Sequence, residues 1–471
     1  YEFAGCGTVV AMNESSFLGS TMGTAAGSAG EDQFLGEIFD RLFPICRSIA
    51  GPGLRESLEI LAEHCPFEFQ SVPSGSRVFD WTVPPEWHIR AAKLTGPDGK
   101  VHADFNHSNL SVMSFSEPVD RRLTLDELRL HLHSIPQLPE ATPYVTSYYK
   151  KDWGFCLPHS DVESLPDGEY HAYIDSSFVE GELVFADCII PGESEDEVLL
   201  STYLCHPSLA NNELGGPLAL LSLYHRIARW PRRRFTYRFV VNPETIGSLA
   251  YLSVKGEHLR RRLVAGLILT CLGGPMQSLS YKTTRRQNAL IDQVVKHMKF
   301  MDQLDVMVRP FTPTSGSDER QYCSPGFNLP VGQIARTVYG QYDGYHNSLD
   351  TKEFMDLRQI VRSADAVEQL LKTLEYAGKF ENQEPYGEPQ LGRRNLYPHI
   401  NSEETRGNST DTQVDSRMTL NWILNILSYS DSHQTMIDIA ERCGCAVTDL
   451  IPIIDKLESE KLLRFVGGNK G

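Results

Sequence analysis

Four short apolar runs constrain the fold of this chain more than any other feature. They are EVLLSTYLC (197–205), TYRFVVN (236–242), VAGLILTC (264–271) and VGQIART (331–337), rich in Val, Ile, Leu and Tyr and poor in charge. Runs of this length and composition read as strands buried on both faces. Amphipathic stretches follow them at about 214–228, 246–262, 288–300 and 351–377. Strand and helix in alternation predict an α/β fold: an open, mostly parallel sheet with helices on both faces.

The pattern changes on either side of this unit. Phe34, Leu35, Ile38, Leu42 and Ile45 form a helical stripe that opens the fold, so the α/β domain is expected over 31–70 and 136–377. Between them, 71–135 carries short alternating runs, a Pro-Pro step and Gly turns, the character of a small β-rich insertion. Residues 378–415 are polar and aperiodic and read as an extended linker. Three short helices and a closing strand in 416–471 make a winged-helix pattern. Residues 1–30 are small and weakly amphipathic, a flexible leader without the basic start and apolar centre of a secretory signal.

Charge and cysteine usage narrow the partners. Lys plus Arg minus Asp plus Glu gives 44 − 61 = −17, so overall electrostatics oppose nucleic acid. The wing's expected recognition segment points the same way, because Asp449, Asp455, Glu458 and Glu460 outnumber Lys456 and Lys461. Protein contact or homo-oligomerisation is its better use. No apolar run approaches the roughly 18 residues of a membrane span. Ten scattered cysteines without a CxxC read as free thiols of a reducing cytoplasm.

In an open α/β sheet, ligands gather at the carboxyl ends of the strands. His206 follows the first run, Glu244 the second, Thr270 and Cys271 close the third, and His346 lies in the loop after the fourth. Two imidazoles and an acid at one lip form a metal-site proposal. Each also has a plain reading. His206 can be a hydrogen-bonding histidine, Glu244 the acid that a helix's first turn favours, Asp318 a cap, and Arg285 with Arg286 a solvated pair.

The order His206, NNELGG opening a helix, Glu244 before a Gly-Ser, SD at 317–318 and YHNSLD at 345–350 resembles the zinc aminopeptidase and glutaminyl cyclase family. LFPICRSIAG, DWTVPPEW, CHPSLANNELGGP, GSDERQYCSPG and GEPQLGRRNLYP are similar to a bacterial group of aminopeptidase-like proteins with an inserted β domain and a winged helix. The departures from the zinc peptidases are informative. The acid that orients the first histidine falls at Ser208, the metal-bridging aspartate at Asn212, and the general base at Pro243.

With those carboxylates gone, the resemblance implies one zinc rather than two, held by Glu244 and His346 with His206 or Asn212 completing the set. Glu213 supplies a carboxylate to the pocket if the helix start is rotated. Asp318 or Glu319 would move the proton if burial raises its pKa. Arg285, Arg286 and Arg320 would anchor a carboxylate or phosphate, and Tyr322 and Tyr345 add hydroxyls. The expected activity is hydrolysis of an amide in a small-molecule or short peptide-like amino compound, in bacterial polysaccharide or specialised-metabolite biosynthesis. The rival expectation is a catalytically altered, peptidase-derived binding or regulatory protein.

Overall fold

The computed structural model describes residues 30–397 and 410–468. The expected leader therefore lies outside the described residues except for Gly30. The main sheet has eight strands: β1 (Glu68–Pro73), β2 (Glu182–Ile190), β3 (Glu197–Tyr203), β4 (Thr236–Asn242), β5 (Leu263–Leu269), β6 (Leu279–Lys282), β7 (Val306–Arg309) and β8 (Val331–Ala335). Their order is β1-β2-β4-β3-β5-β8-β6-β7. The four runs read as strands are its centre, and β4, β3, β5 and β8 all pair in parallel. The flanks are antiparallel, β2 against β4 and β6 against β8.

The pleat divides the core. Val198 and Leu200 face one cluster, with helices α1 (Glu31–Leu42), α2 (Pro52–Ala62), α3 (Gly215–Ala228), α5 (Leu290–Phe300) and α6 (Leu357–Ala377). Leu199 faces the other, with helix α4 (Ile246–Arg262) and a second sheet. Every residue of β3 and β5 is buried, as expected of strands covered on both faces. Where α3 begins, a Cβ on Gly216 would lie 2.1 Å from Thr202 Oγ1 and 2.4 Å from Leu269 O. The second glycine of NNELGG is therefore needed for the helix to press against β3 and β5.

The β-rich insertion is larger than the expected 71–135. Its four-stranded sheet runs 101–104, 86–95, 169–179, 119–124, so residues 169–179 lie inside it. That strand pairs with 86–95 across roughly eighty residues of chain, a partner that local alternation does not reveal.

The linker expectation is corrected in the same way. Lys379–Asn382 is the central strand of a three-stranded sheet between Asp431–Thr435 and Leu463–Gly467. Helices α7 (Thr410–Tyr429), α8 (Met436–Cys443) and α9 (Val447–Ser459) complete the winged helix. Residues 398–409 of the expected linker lie outside the described residues.

The winged helix packs on the body as part of one core. Leu450, Ile454 and Leu457 of α9 join the cluster that holds α6. Buried Arg234 donates to both Glu458 oxygens at 2.8 Å and lies over the Tyr376, Phe380 and Phe465 rings. No described helix is long and apolar enough to cross a membrane.

Shared packing predicts shared melting. Ile454→Ala should cost about 2–5 kcal/mol and shift one cooperative denaturant transition; a separate early transition for the winged helix would show that the two parts fold independently.

Candidate functional site

The site forms where β3, β4, β5 and β8 end. After β3 the chain passes His206 and enters one π turn, Ala210–Leu214, before α3. That turn buries Asn211, Asn212 and Glu213 completely or nearly so. Three hydrogen bonds converge on the Glu213 carboxylate. Oε1 accepts from the Cys205 and His206 backbone N–H groups, the latter at 2.8 Å. Oε2 lies 2.6 Å from His206 Nδ1.

Glu213 thus orients His206, the task that the resemblance left without a residue when the acid fell at Ser208. Its counterion is Arg47, fully buried, 3.8 Å away and donating to the His206 carbonyl at 3.0 Å. Sequence reasoning placed Glu213 in the substrate pocket and missed Arg47. The quoted LFPICRSIAG contained it, but nothing local pairs positions 47 and 213.

With Nδ1 held, His206 Nε2 faces Glu244, 3.8 Å from Oε2. The other Glu244 oxygen accepts from Ser317 Oγ at 2.7 Å. His346 stands beside His206 with ring centroids 5.1 Å apart, and Tyr345 stacks on it at 4.0 Å. Burial disfavours the His206 cation, but Cys205 and the Glu213 carboxylate more than offset it, and its pKa stands well above the ordinary imidazole value. Burial followed by the His206 charge pushes His346 down to about 3, leaving it neutral. Burial pushes Glu244 up, against the pull of His206 and Ser317.

In kind, though not in every spacing, these groups match a metal donor set. Two imidazoles and one carboxylate are an ordinary zinc donor set, and tetrahedral ligand atoms at about 2.0–2.2 Å from the metal sit roughly 3.4 Å apart, near the His206–Glu244 spacing. Asn212 Oδ1, buried in the π turn, has no hydrogen-bond partner among the described residues. The fit is not closed, because His206, Glu244 and His346 do not all come within 4.8 Å of one another. Among the described residues the trio that does is Cys205, His206 and Glu213. That trio is a hydrogen-bonded nest backed by Arg47, whose fixed positive charge disfavours a dication there.

The remaining candidates divide. Asp318 is fully buried and capped on both oxygens: Oδ1 accepts from Thr245 N at 2.7 Å and Ser248 Oγ at 3.1 Å, Oδ2 from Asn242 Nδ2 at 2.9 Å. It anchors the start of α4. Burial, then the Glu244 charge, pushes its pKa up to about 7. Glu319 pairs with buried Lys282 at 2.8 Å and accepts from Ser317 N. Arg320 donates to Ser317 O at 3.1 Å and stays at the lip.

Arg285 and Arg286 are not brought to the site. They follow β6, which runs antiparallel to β8, and Arg286 donates to Asn328 O where the chain enters β8, at the opposite edge of the sheet. Tyr322 is fully buried in the core rather than at the lip. Thr270 and Cys271 bond into the wall through Tyr203 and Asn212.

A loop from the insertion side roofs the lip. Tyr144 packs edge-on against both His206 (5.0 Å) and His346 (5.5 Å), and its N–H donates to the His346 carbonyl at 2.8 Å. From below, Asp350 accepts from Asn211 N at 2.8 Å and Asn212 N at 2.9 Å, tying the YHNSLD loop to the π turn. Four non-glycine residues at the lip, Ser208, Thr245, Cys271 and His346, have φ between 47° and 63°. Such backbone costs about 1–3 kcal/mol per residue and persists where surrounding contacts enforce it, commonly at functional sites.

Comparison with known proteins agrees with this architecture. Residues 37–377 match a domain of unknown function, DUF4910, and residues 379–465 a winged helix-turn-helix. A protein of Clostridium acetobutylicum, named as a candidate polysaccharide biosynthesis protein with aminopeptidase-like domain, is 39% identical over 434 residues, 92% of this chain and 96% of the relative. The crystal structure of a candidate peptidase from Clostridium acetobutylicum matches with a TM-score of 0.80 and 37% identity, covering 93% of this chain and 98% of that one. A zinc aminopeptidase from Bacillus subtilis matches with a TM-score of 0.55 and 12% identity, over 73% of this chain and 93% of that one, a likeness of fold alone. The chain therefore belongs to the DUF4910 family: an aminopeptidase-like α/β domain followed by a winged helix.

Proposed function

We propose that this protein is a metal-dependent hydrolase of the aminopeptidase-like type, acting on an amide bond of a small or modified amino compound in bacterial polysaccharide or specialised-metabolite biosynthesis. One observation carries the reading: Glu213 holds His206 Nδ1 so that Nε2 faces Glu244 beside a neutral His346. Metal-binding histidines are commonly oriented in this way by a second acceptor. The name of the Clostridium acetobutylicum relative supports the biosynthetic setting.

His206, Glu244 and His346 are the residues that would hold a single zinc, and the buried, unpartnered Asn212 Oδ1 is a neutral candidate to complete the set. Zinc bound there would supply a Lewis acid and a water of lowered pKa. The chain's own part is to exclude solvent with the Tyr144 roof, to fix the imidazoles through Glu213 and the His346 backbone, and to hold a proton on Asp318. With Pro243 in place of a general base, Asp318 is the carboxyl whose pKa of about 7 suits proton transfer near neutrality.

A second reading, a binding protein without catalysis, is favoured by Pro243, by Asn212 and by the capping bonds that occupy both Asp318 oxygens. Metal content separates the two. The hydrolase should retain about one zinc per chain after exhaustive dialysis, and His346→Ala should lose it without unfolding. A metal-free native chain would falsify the hydrolase reading.

Asp318 has its own signature. Its folded pKa of about 7 lies above the unfolded value near 3.8, so the native state holds the extra proton between them. Stability should fall as pH rises through that window and level off above it. Asp318→Asn, which carries no titrating group, should flatten this dependence when denaturant midpoints are measured from pH 4 to 8. An unchanged slope would assign the effect to other residues. The acidic α9 predicts a third result: the full chain should show no salt-dependent binding to duplex DNA in a mobility-shift titration at micromolar protein.

A further inference from the structure

Among the described residues, Arg320 is a cation at the lip with no carboxylate in direct contact. Arg320 is half-buried, and its Nε is committed to Ser317 O at 3.1 Å. Among the described residues neither terminal nitrogen has a hydrogen-bond partner, and no carboxylate lies within 4.0 Å of the guanidinium. Ser317, which anchors that Nε, also donates through Oγ to Glu244 at 2.7 Å, so Arg320 is one residue removed from the proposed ligand set. Its charge acts on both Glu244 and the Tyr345 hydroxyl.

The acids at the lip are, by contrast, already engaged. Glu213 accepts from two backbone N–H groups and His206, Asp350 from Asn211 and Asn212, Asp318 from Thr245, Ser248 and Asn242, and Glu319 from Lys282. Asn212, at the place of the zinc peptidases' bridging aspartate, is neutral. Of the carboxylates named here, a substrate ammonium would meet Glu244, one of whose oxygens accepts from Ser317. A substrate carboxylate would find an arginine fork with four N–H donors uncommitted, in a partly desolvated setting where planar bidentate pairing is strong.

We propose that this site takes an amide compound bearing a carboxylate, received by Arg320, and does not recognise a free α-ammonium. This inference rests on the reading of the lip as the substrate site, but not on zinc. Three probes of similar size test it on full-length protein stripped of metal by chelator and dialysis, so that no carboxylate can bind a metal: N-acetylglycine, N-acetylglycinamide and glycinamide. Titration calorimetry should show N-acetylglycine binding at least roughly tenfold tighter than N-acetylglycinamide, the scale of a hydrogen bond to a charged group. Glycinamide should not bind measurably.

Arg320→Gln should abolish the preference, and Arg285→Gln at the far edge should leave it intact. The wild-type comparison stands even if Arg320→Gln fails to fold. Equal affinity for the first two probes, tighter binding of glycinamide, no binding of N-acetylglycine at millimolar concentration, or a preference that survives in folded Arg320→Gln would each overturn the proposal. A chain that holds no zinc yet keeps the carboxylate preference overturns the hydrolase reading alone. A zinc-holding chain indifferent to the carboxylate overturns this one alone.

Discussion

The buried Glu213 carboxylate is the contact on which the rest of the site depends. A carboxylate excluded from water is tolerable only when its lone pairs are filled and its charge is answered. Here two backbone N–H groups, an imidazole and Arg47 do both. Arg47 lies between α1 and α2, Glu213 in the π turn, and His206 after β3. One charge cluster therefore ties the amino-terminal helices, the central strand and the helix that follows it. Removing Glu213 would leave Arg47 and His206 without their shared acid in the core.

Around this cluster the lip is assembled from pieces distant in the chain, each held by backbone hydrogen bonds rather than by side chains alone. The roof donates from Tyr144 N to His346 O, and the floor accepts through Asp350 from the π turn. The positive φ values at Ser208, Thr245, Cys271 and His346 are sustained by this mutual bracing. A site so braced is preorganised, which favours one defined ligand geometry over adaptable binding.

The central architecture was legible in the sequence because parallel strands buried on both faces leave a local mark: the four apolar runs lie side by side in the sheet. The strands of the insertion and of the winged helix were harder to place. Residues 169–179 and 379–382 alternate or are short, and only non-local pairing tells which sheet they join. The grouping of some candidate residues was legible as well. Residues at strand ends, His206, Glu244 and His346, could be placed from topology. Arg47 and Tyr144 could not, because they reach the lip through loops whose course periodicity does not encode. Arg285 and Arg286 misled for a related reason. They follow a strand, but that strand runs the opposite way, so its carboxyl end lies at the wrong edge.

The substitutions that separate this chain from the zinc peptidases make sense together. By the resemblance to that family, three positions expected to carry carboxylates are neutral here: Ser208, Asn212 and Pro243. One consequence is a lower density of negative charge, which weakens the case for two adjacent dications. Another is that the acid on the first histidine is Glu213, seven residues after His206, where Arg47 pairs with it. A third is that Arg320 at the rim has no carboxylate in direct contact among the described residues, although its charge reaches Glu244. The described lip brings His206, Glu244 and His346 together, with Arg320 at its edge. Without an acid at position 208, His206 Nδ1 would lie unpaired in the core; Glu213, backed by Arg47, keeps it fixed.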